Sequence, residues 1–360
     1  MFRVPNSITM SLHELSSVKM RNDYVRNLLR RYYSAADFHL PNDFVLREFA
    51  FQQYSSRTYI RHFSFQSKAL LKEYLITHTP RQAYYSAALY RDPAAEKMED
   101  KDWIGSELMF DIDSDHIIGC KYTELQVNSL KVTIISKECI ELAKDHVLRL
   151  LDILKNDFGF SKDEILVYFS GNRGFHVVVH PSDEEWLKLN PYLRREIVDY
   201  IKGIGLDLDI VMPKPRKGII LHQLPSECGG WRGRIAEKAG NYSEALANVS
   251  TILNELTVSV DEQVTQDISR LIRIPGTING KSGIPARILP TESHIVEFEY
   301  GPHLSPFQGY AAVTLNIRKL PRNINVLGHE IIASTEIQKL PLPVAIFLAL
   351  NDLAIIKSII

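Results

Sequence analysis

The order of the predicted strands and helices constrains the fold of this chain more than any other feature of its sequence. Apolar residues follow strand patterns at 45–54, 57–65 and 107–113, whereas those at 138–156 recur at helical spacing. Strands and helices are interleaved without a regular strand–helix–strand rhythm, and the sequence contains no glycine-rich dinucleotide-binding fingerprint. The sequence therefore predicts a mixed α+β fold and not a Rossmann fold.

The stretch from residue 183 to 256 differs in character from the rest of the chain. Helices are predicted at 184–203 and 242–256, around an irregular segment rich in proline, glycine and basic residues. We therefore predict a single domain, in which a helical subdomain is inserted into a core of residues 20–182 and 257–345. The basic residues of the insertion suit nucleic-acid phosphates and a solvated loop equally well; they are Lys214, Arg216, Lys217, Arg232 and Arg234.

Composition and cysteine content exclude several classes of protein. The chain is 45% hydrophobic and 24% charged, with a net charge of −1, as in an ordinary globular protein. Its three cysteines contain no CxxC pair, so cysteine alone builds neither a four-cysteine zinc site nor an iron–sulfur cluster, and the sparse count is typical of a reducing cytoplasm. The most apolar stretch, 340–350, is too short to span a bilayer, and residues 1–20 lack a signal peptide. These features predict a cytoplasmic protein without a membrane anchor.

Two aspartates in the strand-like segment Leu108–Asp113 are the sharpest local signal. Alternate side chains of a strand share a face, so Asp111 and Asp113 are predicted to point the same way. Adjacent carboxylates repel each other unless a cation lies between them, and hard oxygen ligands suit Mg²⁺ or Mn²⁺. Two other interpretations stay open at this point, because short motifs also match by accident. One is a solvated strand edge, and the other is a metal-dependent glycosyltransferase, which also uses a DxD motif.

A loop with two glycines, Ser170–Gly174, joins two predicted strands within residues 165–180. Glycines allow the main chain to approach a ligand closely. The loop and the strand after it supply the hydroxyl of Ser170, the guanidinium of Arg173 and the imidazole of His176 as hydrogen-bond donors. This set suits a triphosphate, although it does not match the P-loop motif. A tight hairpin with a surface arginine and a strand histidine is the structural alternative.

A third charged segment follows the predicted insertion. It contains DEQV at 261–264, RLIRIPG at 270–276 and GKSG at 280–283. The segment thus offers one more carboxylate together with two arginines and a lysine. A solvated charged face of an amphipathic segment produces the same pattern.

Taken together, these three segments resemble the catalytic (small) subunit of the archaeal–eukaryotic type primases. FDID matches the paired metal-binding aspartates of that family, SGNRGFH matches its SGxRGxH nucleotide-binding motif, and the third segment matches the region of its third catalytic aspartate. YIRHFSF at 59–65 matches a further segment near the active site of the family. The four segments occur in the family's order and spacing over residues 40–310, and the combination is far more specific than any one of them.

The resemblance implies that Asp111, Asp113 and Asp261 hold divalent metal ions, Mg²⁺ or Mn²⁺. Asp267 is a rival for the third position, but the distance from Asp261 to Pro275 along the chain fits the family pattern better. The reaction would be in-line attack of a 3′-hydroxyl on an α-phosphate. The phosphates of the incoming nucleotide would be bound by Ser170, Arg173, His176, Arg61, Arg273 and Lys281. For Arg61, pairing with a neighbouring strand is a close alternative.

The sequence departs from the family pattern at three places. Asn279 stands where relatives often have histidine, which leaves phosphate contact at position 279 weaker or reassigned. Asn172 replaces a second arginine of some members. Many relatives carry a zinc motif with a CxxC pair after the DxD strand. Here the region offers three candidate ligands, one short of a closed tetrahedral site, and zinc is therefore not expected; the candidates are His116, Cys120 and Cys139.

The resemblance also implies an RRM-like mixed-sheet core, a single-stranded DNA template and nucleoside or deoxynucleoside triphosphates as substrates. Primases of this type usually work with a large subunit that carries an iron–sulfur cluster. The leading prediction is thus the catalytic subunit of a DNA primase that synthesises short primers. The alternatives are a repair polymerase of the same superfamily that extends existing 3′ ends, and a non-catalytic nucleotide- or DNA-binding subunit.

Overall fold

The computed structural model describes residues 12–127, 130–212, 229–239, 245 and 247–360. Within them the helices are α1 Leu12–Ala35, α2 Lys68–His78, α3 Lys137–Asn156, α4 Pro191–Lys202, α5 Leu208–Val211, α6 Gly230–Ala239, α7 Val249–Leu256, α8 Glu262–Gln266, α9 Glu292–Val296 and α10 Leu342–Leu350. The strands are β1 Phe49–Gln52, β2 Tyr59–Phe63, β3 Gln82–Ser86, β4 Ala88–Tyr90, β5 Trp103–Ser106, β6 Leu108–Asp113, β7 Tyr122–Val127, β8 Leu130–Ile135, β9 Ile165–Phe169, β10 Gly174–Val179, β11 Leu271–Arg273, β12 Arg287–Ile288, β13 Tyr310–Leu315, β14 Asn323–Val326, β15 His329–Ile332, β16 Ile337–Pro341 and β17 Ala354–Ile359.

Two four-stranded sheets form the centre of the described structure. One has the strand order β11-β3-β1-β2 and the other the order β12-β9-β10-β6. The predicted α+β class is confirmed. The expected mixed sheet is not found, because each strand pair in the two sheets is antiparallel. Short loops join β1 to β2 and β9 to β10, and a short loop between paired strands reverses the chain direction.

Helix α3 covers the second sheet. Its boundary agrees with the predicted 138–156 to within one residue. The helix packs against β6 and β10, the strands that carry the DxD pair and follow the glycine loop. An apolar stripe runs along α3. Burial of a large aliphatic side chain contributes roughly 1.5–3 kcal/mol, so burial of this stripe holds the helix on the sheet. The stripe is buried, as its helical spacing predicts, and consists of Ile140, Ala143, Val147, Leu150, Leu151 and Leu154.

The predicted strands at 45–54 and 57–65 form the hairpin β1–β2, although both strands are shorter than expected. Aromatic side chains pack on this sheet against α2. The ring of Phe51 lies 5.6 Å from that of Phe63 and 4.4 Å from that of Tyr74. Such aromatic pairs add to the stabilisation from burial, and they hold α2 against the hairpin.

A buried ion pair lies directly before β6. Arg47 is fully buried and Glu107 is 3% exposed, and Nη1 of Arg47 donates a 2.8 Å hydrogen bond to Oε2 of Glu107. The Nδ1 atom of His180 also contacts Glu107, and Asp43 binds Arg47 from the other side. Because Glu107 immediately precedes β6, this cluster fixes the start of the strand that carries the two aspartates.

The predicted insertion is mainly helical where it is described. Helix α4 begins at Pro191, a residue suited to the first turn, whereas residues 184–188 form a separate 3₁₀ helix. Lys214, Arg216 and Lys217 of the predicted basic cluster lie outside the described residues. A second hydrophobic cluster, distinct from the main core, joins α5, α6 and α7; it consists of Val211, Met212, Trp231, Ile235, Ala239, Ala245 and Ile252.

The C-terminal part forms a third sheet of strand order β16-β13-β17. Helix α10 lies within the apolar stretch near the end of the chain, and β17 follows it. Almost every side chain of α10 is buried, which explains why this stretch is apolar on all sides. Among the described residues, no helix combines the length and apolar character that crossing a membrane requires.

Candidate active site

Strand pairing places Asp111 and Asp113 on one face of the second sheet. In the register of β6 with β10, Asp111 lies opposite His176 and Asp113 lies opposite Gly174. The side chains of Asp111 and Asp113 are 17% and 18% exposed, whereas Phe110 is fully buried. The alternation expected of a strand is therefore present, and both carboxylates face the same space.

The loop between β9 and β10 packs closely against its neighbours. Gly171 has a φ of +82°, and a Cβ atom there would lie 2.6 Å from the carbonyl oxygen of Ile284. A Cβ atom on Gly174 would lie 2.1 Å from the carbonyl oxygen of Ile112. Only glycine fits at both positions, and the loop therefore holds Arg173 beside the end of β6.

The pKa values of the two aspartates of β6 are shifted in opposite directions. Burial raises the pKa of Asp111 well above its usual range, and the negative charges of Asp113 and Asp261 raise it further. The Oδ1 atom of Asp111 is buried and has no hydrogen-bond partner. Burial acts in the same direction on Asp113, but the hydrogen bonds and charge of Arg173 hold the pKa of that carboxyl below its ordinary value. A buried carboxylate oxygen without a partner attracts a proton or a cation.

Asp261 lies beside the DxD strand. It caps α8, since its carboxylate accepts a 3.0 Å hydrogen bond from the main-chain N–H of Gln263. Helix α8 packs against β6. The rival Asp267 lies at the other end of α8, where its carboxylate accepts hydrogen bonds from Ser269. The structure thus places Asp261 next to Asp111, in agreement with the effect of its charge on the pKa of Asp111.

Arg173 connects the glycine loop with the acidic strand. Its Nη2 atom lies 2.7 Å from Oδ2 of Asp113, and its Nη1 atom lies 3.0 Å from Oδ2 of Asp115. Nη1 also donates a 3.5 Å hydrogen bond to the hydroxyl of Thr133 on β8. A bidentate guanidinium of this kind binds carboxylates and phosphates with the same geometry.

His176 is neutral in this site. Burial lowers the pKa of its imidazole to about 3, and the positive charges of Arg273 and Arg270 act in the same direction. Its Nδ1 atom lies 3.0 Å from the hydroxyl of Tyr168, and its Nε2 atom lies 3.5 Å from Oδ1 of Asp111. The contact with Asp111 is therefore not an ion pair, and the imidazole serves as a hydrogen-bonding group.

Arg273 is a buried cation without a carboxylate partner among the described residues. It is 7% exposed, and its guanidinium contacts the side-chain oxygen of Gln82 and lies 5.1 Å from the ring centre of Tyr84. Its Nε atom has no hydrogen-bond partner. Buried charges are normally paired, so an arginine in this state favours the binding of an anion next to it. Loss of hydration and the charge of Arg173 lower the pKa of Lys281, and the charge of Arg273 lowers it further.

Arg61, the remaining predicted phosphate ligand, is engaged by a different group. Its Nε and Nη2 atoms donate hydrogen bonds of 2.9 and 3.1 Å to the two carboxylate oxygens of the buried Glu48. The main-chain N–H of His62 donates a third hydrogen bond to Glu48. No contact among the described residues joins Arg61 to the aspartates, so its role in nucleotide binding stays a prediction.

Comparisons with known proteins identify the family. The sequence profile of the DNA primase small subunit family matches residues 110–288. The DNA primase small subunit PriS of Sulfolobus acidocaldarius is 36% identical over 95% of this chain and 98% of its own length. Those of Hyperthermus butylicus and Saccharolobus solfataricus are each 34% identical, over 93% and 97% of this chain and over 97% and 98% of their own lengths.

The chain belongs to the DNA primase small subunit family. The resemblance inferred from the four sequence segments is thereby confirmed, and the glycosyltransferase interpretation of the DxD motif no longer applies.

The structure explains why this primase subunit carries asparagine at position 279. The amide of Asn279 is buried, and it donates a 3.0 Å hydrogen bond to the carbonyl oxygen of Ser170 while accepting one from the main-chain N–H of Lys281. The hydroxyl of Ser282 makes a second connection, to the carbonyl oxygen of Gly171. Asn279 therefore joins the two loops that carry the predicted phosphate-binding residues, and both of its hydrogen bonds use the amide and need no charge.

Two of the three zinc candidates of this primase subunit are bonded to each other. Cys120 and Cys139 are joined by a disulfide, so neither sulfur is present as the thiolate that zinc requires. This corrects the expectation that the cysteines are reduced. The pairing arises because the β7–β8 hairpin brings its two ends together, with the Cα atoms of the two cysteines 4.7 Å apart, and the bond ties the hairpin to the first turn of α3.

Arg270, which the motif comparison does not assign a role, lies near Asp111 and His176. The positive charge of Arg270 lowers the pKa of Asp111 and that of His176. The residue is half-buried and forms no ion pair within the described part of the chain. Its spacing of three residues from Arg273 in RLIRIPG was the available signal, because both belong to the segment that follows the third aspartate.

Proposed function

We propose that this chain is the catalytic subunit of a DNA primase, which joins nucleoside triphosphates into short primers on a single-stranded DNA template. The observation that carries the proposal is the pair Asp111 and Asp113, which face the same side of β6 and leave one buried carboxylate oxygen unbonded. The cations Arg173 and Arg273 lie on the same side. Membership of the primase small subunit family supports this assignment.

The aspartates suit a divalent metal ion. Mg²⁺ and Mn²⁺ prefer carboxylate oxygens. The Oδ1 atom of Asp111 has no partner and the pKa of this carboxyl is raised. A bound ion would give the oxygen a partner and lower that pKa. Among the described residues no three acidic, histidine or cysteine side chains are close enough to hold a metal as they stand. We assign Asp111, Asp113 and Asp261 as ligands, so binding would involve movement of at least one of them. A bound metal would stabilise negative charge on the attacking and leaving oxygens.

The basic side chains would bind and orient the incoming nucleotide. In the proposed reaction the 3′-hydroxyl of the growing primer attacks the α-phosphate, a phosphodiester bond forms, and the bond to the β-phosphate breaks with release of pyrophosphate and a proton. Arg173, Arg273 and Lys281 would hold the phosphates and the leaving pyrophosphate. The neutral imidazole of His176 and the hydroxyl of Ser170 would add hydrogen bonds, and Arg61 stays a predicted contributor.

The remaining parts of the assignment concern the fold, the partner and the location. We propose that the sheet β12-β9-β10-β6 together with α3 is the RRM-like core of the catalytic domain. As the small subunit, the chain would work with a large subunit that carries the iron–sulfur cluster for which this sequence lacks the cysteines. Both would act in the cytoplasm on single-stranded DNA.

The experiment that tests this function is primer synthesis on an unprimed single-stranded DNA template with Mg²⁺ or Mn²⁺. Ribonucleotides and deoxynucleotides would be supplied in separate reactions, and a primed template would run in parallel. We expect products on the unprimed template that are lost in Asp111→Asn, which keeps the shape of the side chain and removes its charge. Asp163→Asn, which changes an exposed aspartate elsewhere on the surface, serves as the matched control.

The same experiment separates the alternatives. Extension of the primed template alone would favour a repair polymerase of the same superfamily. Absence of product on both templates, with an iron–sulfur large subunit supplied, would leave a non-catalytic nucleotide- or DNA-binding subunit. No structural observation favours either alternative, since the carboxylates and the basic side chains are present together.

A further inference from the structure

A pocket of about 90 Å³ lies beside the residues assigned to phosphate binding. No aspartate or glutamate is among the described residues that line it. Five cations line the pocket, each from a different loop or strand, and a concave site with one sign of charge suits an anion. This site is named here the cationic pocket. Its five cations are Arg57, Arg81, Lys131, Arg173 and Lys281.

Two residues of the cationic pocket have no carboxylate partner in the described structure. The guanidinium of Arg81 contacts only main-chain carbonyl oxygens, those of Gly280 and of Leu350 at 2.9 Å. Burial and the charge of Arg57 lower the pKa of Arg81 to about 10. Loss of hydration and neighbouring cations likewise lower the pKa of Lys281. Cations that repel each other in this way are stabilised when an anion binds between them.

Two further cations of the pocket are held only loosely by acids at its rim. Lys131 pairs with Glu124 at 2.6 Å, and the two side chains are 63% and 42% exposed. Arg57 pairs with Asp352 at 2.8 Å, with exposures of 25% and 41%. Exposed ion pairs contribute about 0–1 kcal/mol, so Lys131 can turn to a phosphate at little cost. Arg57 also donates a 3.2 Å hydrogen bond to the carbonyl oxygen of Leu350, so its turn to a phosphate costs more.

A single side chain, that of Arg173, lies between the pocket and the aspartates of β6. Arg173 lines the pocket and also binds Asp113, whereas neither Asp113 nor Asp111 lines it. A phosphate in the pocket is therefore not the α-phosphate, which must lie at the aspartates. We infer that the cationic pocket holds the terminal phosphate of the incoming nucleoside triphosphate, and that Lys131 and Arg57, which belong to none of the matched motifs, make the site selective for triphosphates over diphosphates. This inference rests on the proposed function.

The test is binding of ATP, ADP and AMP to the full chain with Mg²⁺ by isothermal titration calorimetry, without template. We expect ATP to bind at least tenfold more tightly than ADP, because a charge-assisted hydrogen bond to phosphate is a strong one. Lys131→Ala and Arg57→Ala should each reduce the ratio of ADP to ATP dissociation constants several-fold and leave AMP binding unchanged. Lys357→Ala, which removes an exposed lysine on β17, should change nothing.

Glu124→Gln provides a second check, because it releases Lys131 without removing it. We expect this variant to keep or increase the preference for ATP. Equal binding of ATP and ADP by the unchanged protein, or an unchanged ratio in both Lys131→Ala and Arg57→Ala, would overturn the inference even if primers are made. A protein that makes no primers but prefers ATP over ADP through Lys131 would instead overturn the proposed function and retain the pocket assignment.

Discussion

The main-chain N–H of Asp261 donates a 3.0 Å hydrogen bond to the main-chain carbonyl oxygen of Asp111. This bond joins the start of α8 to the middle of β6, two elements far apart in the sequence. It places the carboxylate that caps α8 beside the DxD pair, where its charge contributes to the raised pKa of Asp111. The third acidic residue is therefore positioned by main-chain geometry and not by its side chain.

Asp261→Asn should reduce primer synthesis by about 100-fold or more. A metal ion stabilises the transition state by several kcal/mol, and each 1.4 kcal/mol is tenfold in rate. The helix should stay capped, because asparagine caps as well as aspartate. Loss of bound Mn²⁺, measured by electron paramagnetic resonance, should accompany loss of activity. Asp267→Asn, at the other end of α8, is the matched control. If Asp267→Asn abolished both primer synthesis and Mn²⁺ binding while Asp261→Asn abolished neither, the assignment of the third ligand would be wrong.

Asp111→Asn should stabilise the metal-free protein at neutral pH by about 1–3 kcal/mol, because it removes a negative charge that burial and the charge of Asp113 destabilise. A carboxyl whose pKa is raised on folding favours the folded state below its unfolded value, and this contribution is lost as pH rises through the folded pKa. The difference from the unchanged protein should therefore grow with rising pH above about 3.8. Urea unfolding at pH 4 and pH 7 measures it, and an equal difference at both pH values would contradict the raised pKa.

The sequence was sufficient to predict the features that depend on local periodicity. The alternation in β6 predicted that Asp111 and Asp113 share a face, and the stripe of α3 predicted its buried side. Both follow from the geometry of a single element. The β9–β10 connection was also predictable, since a five-residue loop between two apolar strands leaves little alternative to a hairpin.

Features that depend on contacts between distant segments were not predictable. The disulfide requires that a hairpin bring Cys120 and Cys139 together, and spacing alone does not reveal this. The phosphate contact of Asn279 was predicted to be weaker or reassigned, but its hydrogen bond to the carbonyl oxygen of Ser170 depends on how two loops pack. Likewise, nothing in the sequence shows that Glu48 binds the guanidinium of Arg61.

Glu107→Gln should lower the free energy of unfolding by about 3 kcal/mol, because it removes the buried carboxylate partner of Arg47 and leaves only the more exposed Asp43 to balance that charge. Burial opposes ionisation of Glu107, but Arg47 and His180 hold the pKa of this carboxyl below its ordinary value. Its stabilising contribution is therefore complete above the unfolded pKa and is lost as pH falls through the folded one. Glu185→Gln, in an exposed pair, should change stability by less than about 0.5 kcal/mol. Denaturant unfolding of both variants checks the difference.

Reduction of the Cys120–Cys139 disulfide should lower the free energy of unfolding by about 3 kcal/mol. The two cysteines are 19 residues apart, and closing a loop of this size restricts the unfolded chain by roughly that amount. Guanidinium unfolding with and without a phosphine reductant measures the change. Cys228→Ser should retain the sensitivity to reductant, whereas Cys120→Ser combined with Cys139→Ser should remove it. An equal response of all three proteins would show that the disulfide does not stabilise the fold.

Gly171→Ala should weaken nucleotide binding. Gly159→Ala is the control that shows whether backbone strain or close packing is the cause. Both glycines have a positive φ, +82° and +77°, so alanine adds backbone strain of about 1 kcal/mol at each position. At Gly159 no atom lies within 4 Å of the added Cβ, whereas at Gly171 the Cβ would lie 2.6 Å from the carbonyl oxygen of Ile284. We therefore expect Gly159→Ala to bind ATP normally with slightly reduced stability. Gly171→Ala should displace the loop that carries Arg173, with ATP affinity reduced at least tenfold in calorimetry. Equal ATP affinity in the two variants would mean that the close packing of this loop does not determine how the phosphates are held.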